Sequence, residues 1–183
     1  MTRFELEHII RASAAISNDH DIVVIGSQAI LGQFPEAPGE LRVSREADVF
    51  PLHHPERWDL IDGAIGEGSP FEASFGYYAH GVGPETAVLP GGWRDRLVLV
   101  SNENTLGTRG WCLEVHDLAV SKHAAGRGKD IEFTAALVRH GMTSHDVLDQ
   151  RLDQTPLDPQ LRSRIRQRIE RQYGSVPGRG GPI

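Results

Sequence analysis

The apolar run at residues 22–25 (Ile-Val-Val-Ile), which ends at the pair Gly26-Ser27, constrains the fold of this chain more than any other feature. A short β-branched run followed by Gly-Ser is typical of a buried strand that leads into a turn. Residues 28–33 predict a short helix, and residues 43–52 predict a second strand. We therefore expect an α/β fold, of the α+β kind, in which a small mixed sheet is flanked by helices.

The second predicted strand carries two carboxylates, Glu46 and Asp48. Because side chains at i and i+2 of a strand point to the same face, these carboxylates are expected side by side, with Ala47 and Val49 in the core. Adjacent like charges repel unless a cation lies between them, and Mg²⁺ prefers carboxylate oxygens together with nucleotide phosphates. The pair is therefore a candidate metal site, and a solvated face on an edge strand is the alternative interpretation.

The turn at Gly26-Ser27 offers a second part of such a site. Gly26 has no β-carbon, so it allows the backbone to approach a phosphate closely. The amide groups at the start of the helix predicted at 28–33 can then receive the anion. Phosphate binding and metal binding are thus predicted for two consecutive segments of the chain.

Lysine occurs at only two positions, Lys122 and Lys129, whereas the other seventeen of the nineteen basic residues are arginine. Both lysines lie between residues 117 and 130, and Asp130 directly follows the second one. An ammonium group is a compact charge that contacts a single phosphate oxygen, so this segment is a candidate phosphate-binding element. Chance clustering is the alternative for the lysines, and a helix cap is the alternative for Asp130.

Composition sets broad limits on the class of protein. A length of 183 residues suits one core with a small extension. The net charge of -6 argues against non-specific binding to nucleic acid, which needs a basic face. A single cysteine, Cys112, fits a reducing compartment, and no apolar run approaches the roughly 20 residues of a spanning helix. We expect a soluble, cytoplasmic protein with no membrane partner.

Periodicity and punctuation residues predict the remaining elements. Helices are expected at 4–17, 55–65, 117–125, 131–140, 144–153 and 159–173, and strands at 96–101 and 111–116. Residues 66–92 are rich in glycine and aromatic residues and give no clear prediction. The expected organisation is a core at 1–141, a helical C-terminal extension at 142–173 and a flexible tail at 174–183, which is rich in Gly and Pro.

The two candidate segments together resemble the nucleotidyltransferase superfamily, whose pattern is Gly-Ser or Gly-Gly on a turn, followed by a strand carrying acid-x-acid. More narrowly, Ser44-x-Glu46-x-Asp48 followed by Lys122, Arg127, Lys129 and Asp130 is similar to the AbiEii and MenT type of nucleotidyltransferase toxin. The resemblance implies that Gly26 and Ser27 hold the triphosphate, and that Glu46 and Asp48 bind Mg²⁺. It further implies phosphate contacts by Lys122, with Ser44, Arg127 and Lys129 also in the nucleotide site, and a catalytic role for Asp130 as metal ligand or base.

The resemblance implies an activity and partners as well. A nucleoside monophosphate would move from a nucleoside triphosphate to an acceptor hydroxyl, namely a tRNA 3′ end, and a small antitoxin protein would inhibit the enzyme. The chain departs from the pattern at Glu46, where aspartate is usual, and in the eighteen residues between Ser27 and Glu46. A non-catalytic domain that binds a nucleotide or a protein, and an antibiotic nucleotidyltransferase, are the alternatives.

Several other residues carry two interpretations each. Glu114, on the strand predicted at 111–116, competes with Asp130 as a third carboxylate. The pair His53-His54 indicates loop surface, since no zinc motif accompanies it. The arginines of the last predicted helix either pack along its apolar stripe or contact an RNA backbone: Arg162, Arg164, Arg166, Arg168 and Arg171. Four other residues either belong to the core or stack on a base or ribose: Tyr77, Tyr78, Trp93 and Arg94.

Overall fold

The computed structural model describes residues 1–175, which form eight α-helices and five β-strands. The strands are β1 (Asp21–Val24), β2 (Glu46–Pro51), β3 (Tyr78–Gly81), β4 (Val98–Val100) and β5 (Arg109–Cys112). The helices are α1 (Arg3–Ser17), α2 (Ile30–Gln33), α3 (Trp58–Ile65), α4 (Pro70–Phe75), α5 (Val115–Ala125), α6 (Gly128–Arg139), α7 (His145–Asp153) and α8 (Pro159–Gly174). None of these helices is long and apolar enough to cross a membrane.

The five strands form one mixed sheet in the order β3-β2-β1-β5-β4. The central strand β1 runs antiparallel to β2 and parallel to β5. The outer pairs differ as well, because β2 and β3 are parallel whereas β4 and β5 are antiparallel. The predicted fold class, a small mixed sheet with flanking helices and a helical C-terminal region, is confirmed.

The chain divides into two compact units. The first contains residues 1–87 and 94–114, and therefore the whole sheet with α1 to α4. The second contains residues 88–93 and the described chain from Val115 onward, with α5 to α8 around buried apolar side chains such as Leu118, Leu137 and Ile165. The predicted boundaries at 141 and 173 stay predictions. Of the predicted tail, Gly174 ends α8 and residues 176–183 lie outside the described part of the chain.

Local sequence signals explain several helix ends. Thr2 and Glu5 form a capping box at the start of α1. Asp158 accepts hydrogen bonds from two first-turn amides of α8 and is followed by proline at the first helical position, as predicted. Gly126 and Gly141 adopt φ values of 67° and 63°, the left-handed conformation in which glycine ends a helix without strain.

Three predicted strands are shorter than expected, and the one predicted at 43–52 is β2, Glu46–Pro51. The segment 111–116 is a strand only as far as Cys112, because Val115 and Leu118 lie at helical spacing and both are buried in the second unit. Glu114 therefore lies between β5 and α5 and not on a strand. The segment 96–101 contains β4 at Val98–Val100, preceded by a 3-10 turn at Trp93–Arg96.

Candidate functional site

The two carboxylates on β2 lie on one face of the strand. Glu46 and Asp48 are half-buried, whereas Ala47 and Val49 are fully buried. The alternation of β2 thus places both acids away from the packed face, as the sequence predicted. Two neighbouring carboxylates with partial access to solvent form an acidic surface that a cation can neutralise.

Gly26 lies against the Asp48 carboxylate. The amide of Ile25 donates to the Asp48 carbonyl oxygen at 3.0 Å, which holds the end of β1 beside β2. A β-carbon added at Gly26 would overlap the Asp48 carboxylate group, although the backbone of Gly26 at φ -80° suits any residue. The glycine is required for space, and the structure brings these two predicted site residues together.

Ser27 and Ser44 have more local surroundings. Ser27 is half-buried and opens a single 3-10 turn, Ser27–Ala29, which continues into the four residues of α2. The Ser44 hydroxyl accepts a hydrogen bond from the Glu46 amide at 3.2 Å and donates to the Glu46 carbonyl oxygen at 3.3 Å. Ser44 therefore shapes the backbone at the start of β2.

Strand β3 supplies two polar partners that sequence reasoning did not assign to the site. Tyr78 and His80 are the register partners of Glu46 and Asp48 in the parallel pair of strands. The Tyr78 hydroxyl donates to Glu46 Oε2 at 3.0 Å, and His80 Nδ1 lies 2.8 Å from Asp48 Oδ1. The available signal was the spacing Tyr78-x-His80, which repeats the i, i+2 spacing of the acids. Each carboxylate thus has one oxygen held by β3.

The lysine segment forms a separate cluster within the second unit. Asp130 has a side chain only 1% exposed and accepts a hydrogen bond from Arg127 Nε at 2.7 Å. Lys122 Nζ lies 3.4 Å from Asp130 Oδ1 and 5.9 Å from the centre of the Phe133 ring. Lys129 is exposed in the first turn of α6. The structure therefore brings together three of the four predicted residues of this segment.

The surroundings of Asp130 favour a role in holding cations over a role as a metal ligand. Burial opposes ionisation of this carboxyl, but the Arg127 hydrogen bond and the Lys122 charge outweigh it, so its pKa lies below the usual value. Asp130 is also the third residue of α6 and accepts from the Arg127 amide at 3.3 Å. The helix begins at Gly128, earlier than predicted, so Asp130 completes a capping arrangement from inside the helix.

A second acidic group lies at the start of β1, the opposite end of that strand from Gly26. Among residues 1–175, Asp19, Asp21 and His53 are the one group of three whose ligand atoms fall within 4.8 Å of one another. Asp19 already accepts three backbone amides, including that of His53 at 2.8 Å. Asp21 accepts from Arg109 at 2.6 Å and from Trp111 at 2.7 Å. The group has suitable residue types for a divalent metal, but its oxygens already bond the start of β5 and the backbone at His53 and His54.

Helix α8 uses its arginines mainly for packing. Arg166 bonds Asp149 and Asp153, both at 2.7 Å, while Arg162 and Arg168 donate to backbone carbonyl oxygens of the second unit. The apolar side of the helix buries Ile165 and Ile169, which agrees with the packing interpretation. Tyr77 and Tyr78 are buried as well, at 8% and 9% exposure, so neither presents a ring for stacking on a base.

A family model described as "Nucleotidyltransferase of unknown function (DUF6036)" matches residues 4–176. This range includes all the candidate residues on β2, α5 and α6. The chain belongs to this nucleotidyltransferase family. The superfamily predicted from Gly26-Ser27 and Glu46-x-Asp48 is thereby confirmed. No curated protein and no solved structure matches the chain.

Nucleotidyltransferases generally use a divalent metal and a nucleoside triphosphate, and the donor set on β2 fits that requirement. Glu46 and Asp48 offer hard carboxylate oxygens, the ligand type that Mg²⁺ prefers. Within residues 1–175, neither acid belongs to a three-ligand protein group. A metal there would complete its shell with phosphate oxygens and water, which is the usual pattern for Mg²⁺ in nucleotide sites.

Proposed function

We propose that this nucleotidyltransferase moves a nucleoside monophosphate from a nucleoside triphosphate to an acceptor hydroxyl, with Glu46 and Asp48 as the metal ligands. The observation that carries the proposal is the pair of carboxylates on one face of β2, with Gly26 leaving room for Asp48. Two adjacent carboxylates repel each other when no cation lies between them. A bound Mg²⁺ would offset that repulsion and would explain why both acids lie on the same face of β2.

In the proposed reaction, the acceptor oxygen attacks the α-phosphorus in line with the leaving group. The new bond joins the acceptor oxygen to the α-phosphorus, the bond to the bridging oxygen breaks, and pyrophosphate leaves. The acceptor proton passes to solvent. When bound, Mg²⁺ would neutralise charge on the phosphate oxygens. Glu46 and Asp48 would hold it, and the residues of the Gly26-Ser27 turn are proposed to approach the triphosphate.

The proposal assigns Lys122, Arg127 and Lys129 to the phosphates of the nucleotide. Asp130 binds the first two of these side chains and is itself ionised at neutral pH, so it orients cations and is a poor proton acceptor. An ordered ammonium and an ordered guanidinium lose less conformational entropy when they meet an anion than free side chains do.

For the acceptor we propose a tRNA 3′ end, and for the biological role the toxin of a toxin-antitoxin pair, with a small antitoxin protein as partner. The support is the resemblance of Ser44-x-Glu46-x-Asp48, Lys122 and Arg127-x-x-Asp130 to the AbiEii and MenT type. Packing engages Arg162, Arg166 and Arg168 of α8, so contacts to an RNA backbone would need other basic residues.

A transfer assay tests this proposal. The protein is incubated with total tRNA, Mg²⁺ and each of the four nucleoside triphosphates labelled at the α-phosphate. We expect labelled tRNA with the wild type and none with Asp48→Asn, whereas Asp59→Asn on the exposed side of α3 serves as a matched control and retains activity. If the label appears on protein or on an added aminoglycoside, that molecule is the acceptor in place of tRNA. No labelled product with any acceptor contradicts the transfer reaction.

One observation favours a second candidate, a non-catalytic nucleotide-binding domain. Tyr78 and His80 already hold one oxygen of each carboxylate, and Glu46 replaces the usual aspartate. Such a domain would bind a nucleoside triphosphate without transferring any part of it. Nucleotide binding in a separate titration, together with no label transfer in the assay above, identifies this case.

A further inference from the structure

Strand β3 repeats the polar spacing of β2 at the same height in the sheet. The Cα partners are Glu46 with Tyr78 and Asp48 with His80, while the intervening Ala47 lies opposite Ala79. Both alanines are fully buried, so the four polar side chains share the other face of the two strands. A parallel pair in register therefore gives each acid a dedicated neighbour.

Tyr78 is suited to holding Glu46 in one position. Its side chain is buried, and its hydroxyl donates to Glu46 Oε2 at 3.0 Å. A phenol keeps its proton at neutral pH, so the Tyr78 hydroxyl acts as the donor to the Glu46 carboxylate. A glutamate has one more rotatable bond than an aspartate, and a fixed donor removes that freedom before any metal binds.

His80 has the corresponding relationship to Asp48. Its Nδ1 lies 2.8 Å from Asp48 Oδ1, and its side chain is 49% exposed. The other carboxylate oxygen, Asp48 Oδ2, lies against Gly26, because a β-carbon at position 26 would overlap it. The Asp48 carboxylate thus lies between two fixed neighbours, and its orientation is set by the turn after β1 on one side and by β3 on the other.

We propose that Tyr78 and His80 are positioning residues that orient Glu46 and Asp48 for a shared divalent metal bound with a nucleoside triphosphate. This inference rests on the proposed function of the same site. Hydrogen-bond partners of ligating carboxylates usually matter, since their loss costs roughly ten- to a hundredfold in metal affinity. The positioning of Glu46 by Tyr78 also explains how a glutamate can act as the metal ligand at a position where the shorter aspartate is usual.

The test measures the Mg²⁺ concentration that gives half-maximal binding of a nucleoside triphosphate to the full-length protein. Tyr78→Phe removes only the hydroxyl, and we expect roughly a tenfold or larger increase in that concentration. Tyr77→Phe is the matched control, because it removes an equally buried hydroxyl that bonds His8 at 2.8 Å. The unfolding midpoint of each variant confirms that it is folded.

His80 provides a second variant on an exposed side chain, where loss of folding is not a concern. His80→Ala should raise the required Mg²⁺ concentration, and His80→Asn should restore it towards the wild-type value because its amide keeps a donor near the position of Nδ1. A purely structural role would not depend on that donor.

The outcomes separate the inference from the function on which it rests. A wild type that shows no Mg²⁺-dependent nucleotide binding overturns both. A wild type that binds with Mg²⁺, while Tyr78→Phe or His80→Ala has the same Mg²⁺ requirement, leaves the proposed function standing and overturns the positioning role of that residue. Equal shifts in Tyr78→Phe and Tyr77→Phe also contradict the role of Tyr78.

Discussion

The Asp48 carboxylate occupies the space in which a side chain at position 26 would lie. Gly26 lies two residues after the end of β1, and any β-carbon there would overlap the carboxylate. The φ of Gly26 is -80°, so the backbone alone would accept other residues. Space for an acidic side chain, and not conformational freedom, explains the glycine. This relationship connects the two sequence segments from which the superfamily was predicted.

Gly26→Ala should displace the Asp48 carboxylate and weaken Mg²⁺-dependent nucleotide binding. We expect at least a tenfold loss of affinity, because the metal ligand can no longer keep its orientation between the residue at position 26 and His80. Titration of a nucleoside triphosphate in the presence of Mg²⁺ measures the effect. An unchanged affinity in a folded Gly26→Ala protein would contradict the proposed role of Asp48.

Gly63→Ala is the matched control for that substitution. Gly63 lies within α3, and a β-carbon added there meets nothing within 4 Å. Alanine in a helix interior is favoured over glycine by about 0.5–1 kcal/mol, so this variant should be more stable and should bind nucleotide as the wild type does. Urea unfolding compares the free energy of unfolding of the Gly26→Ala and Gly63→Ala variants directly.

The sequence predicted the acidic strand well because its alternation is local. Glu46 and Asp48 are exposed to one side and Ala47 is buried, a pattern with the two-residue period of any strand. Tyr78 and His80 could not be assigned from sequence, because they join the site through strand pairing across a Gly-rich and aromatic segment without clear periodicity. Long-range pairing of this kind is fixed by tertiary packing and not by local preference.

The segment around Val115 shows a different limit. Leu113 and Val115 alternate as in a strand, while Val115 and Leu118 have helical spacing, so both periods fit the same apolar residues. Burial of Val115 and Leu118 decides for the helix. Similarly, glycine is a poor helix former, yet α6 begins at Gly128. The helix can start there because Arg127 and Asp130 form a capping box with the backbone of its first turn.

Asp130→Asn should destabilise the protein by about 3 kcal/mol at neutral pH, since it leaves Lys122 without its carboxylate in a mostly buried position. The pKa of Asp130 lies below its usual 3.8, so its contribution is present above about pH 4 and is lost as the pH falls further. Urea unfolding at pH 7 and at pH 3 should therefore show a deficit that narrows in acid.

A matched control for Asp130 is Asp146→Asn. Asp146 is 99% exposed in the first turn of α7, and its replacement should change the free energy of unfolding by less than about 0.5 kcal/mol. Equal effects of Asp130→Asn and Asp146→Asn would contradict the view that Asp130 organises the lysine segment.

His123 should make the protein less stable in mild acid. Burial, with a smaller contribution from Arg168, lowers the pKa of His123 from 6.5 to about 3. Below about pH 6.5, His123 is therefore protonated in the unfolded chain but stays neutral in the folded chain. The free energy of unfolding consequently falls as the pH decreases towards 3. The loss between pH 7 and pH 5 should be about 2 kcal/mol, measured by urea unfolding.

His123→Leu isolates this contribution from that of other titrating groups. Neither ring nitrogen of His123 has a hydrogen-bond partner within residues 1–175, so leucine should be tolerated or stabilising at pH 7. The difference between the two proteins should grow by about 2 kcal/mol from pH 7 to pH 5. A difference that stays constant with pH would show that His123 is accessible to protons in the folded state.

The central claim is that Glu46 and Asp48 hold a divalent metal with a nucleoside triphosphate. Calorimetric titration of each nucleoside triphosphate, with Mg²⁺ and then with a chelator, into the wild type and Asp48→Asn tests it most directly. We predict binding that depends on Mg²⁺ and is at least tenfold weaker in Asp48→Asn, because one of two protein ligands is lost. Binding of equal affinity with chelator and in the variant, or no binding by the wild type, would contradict the account.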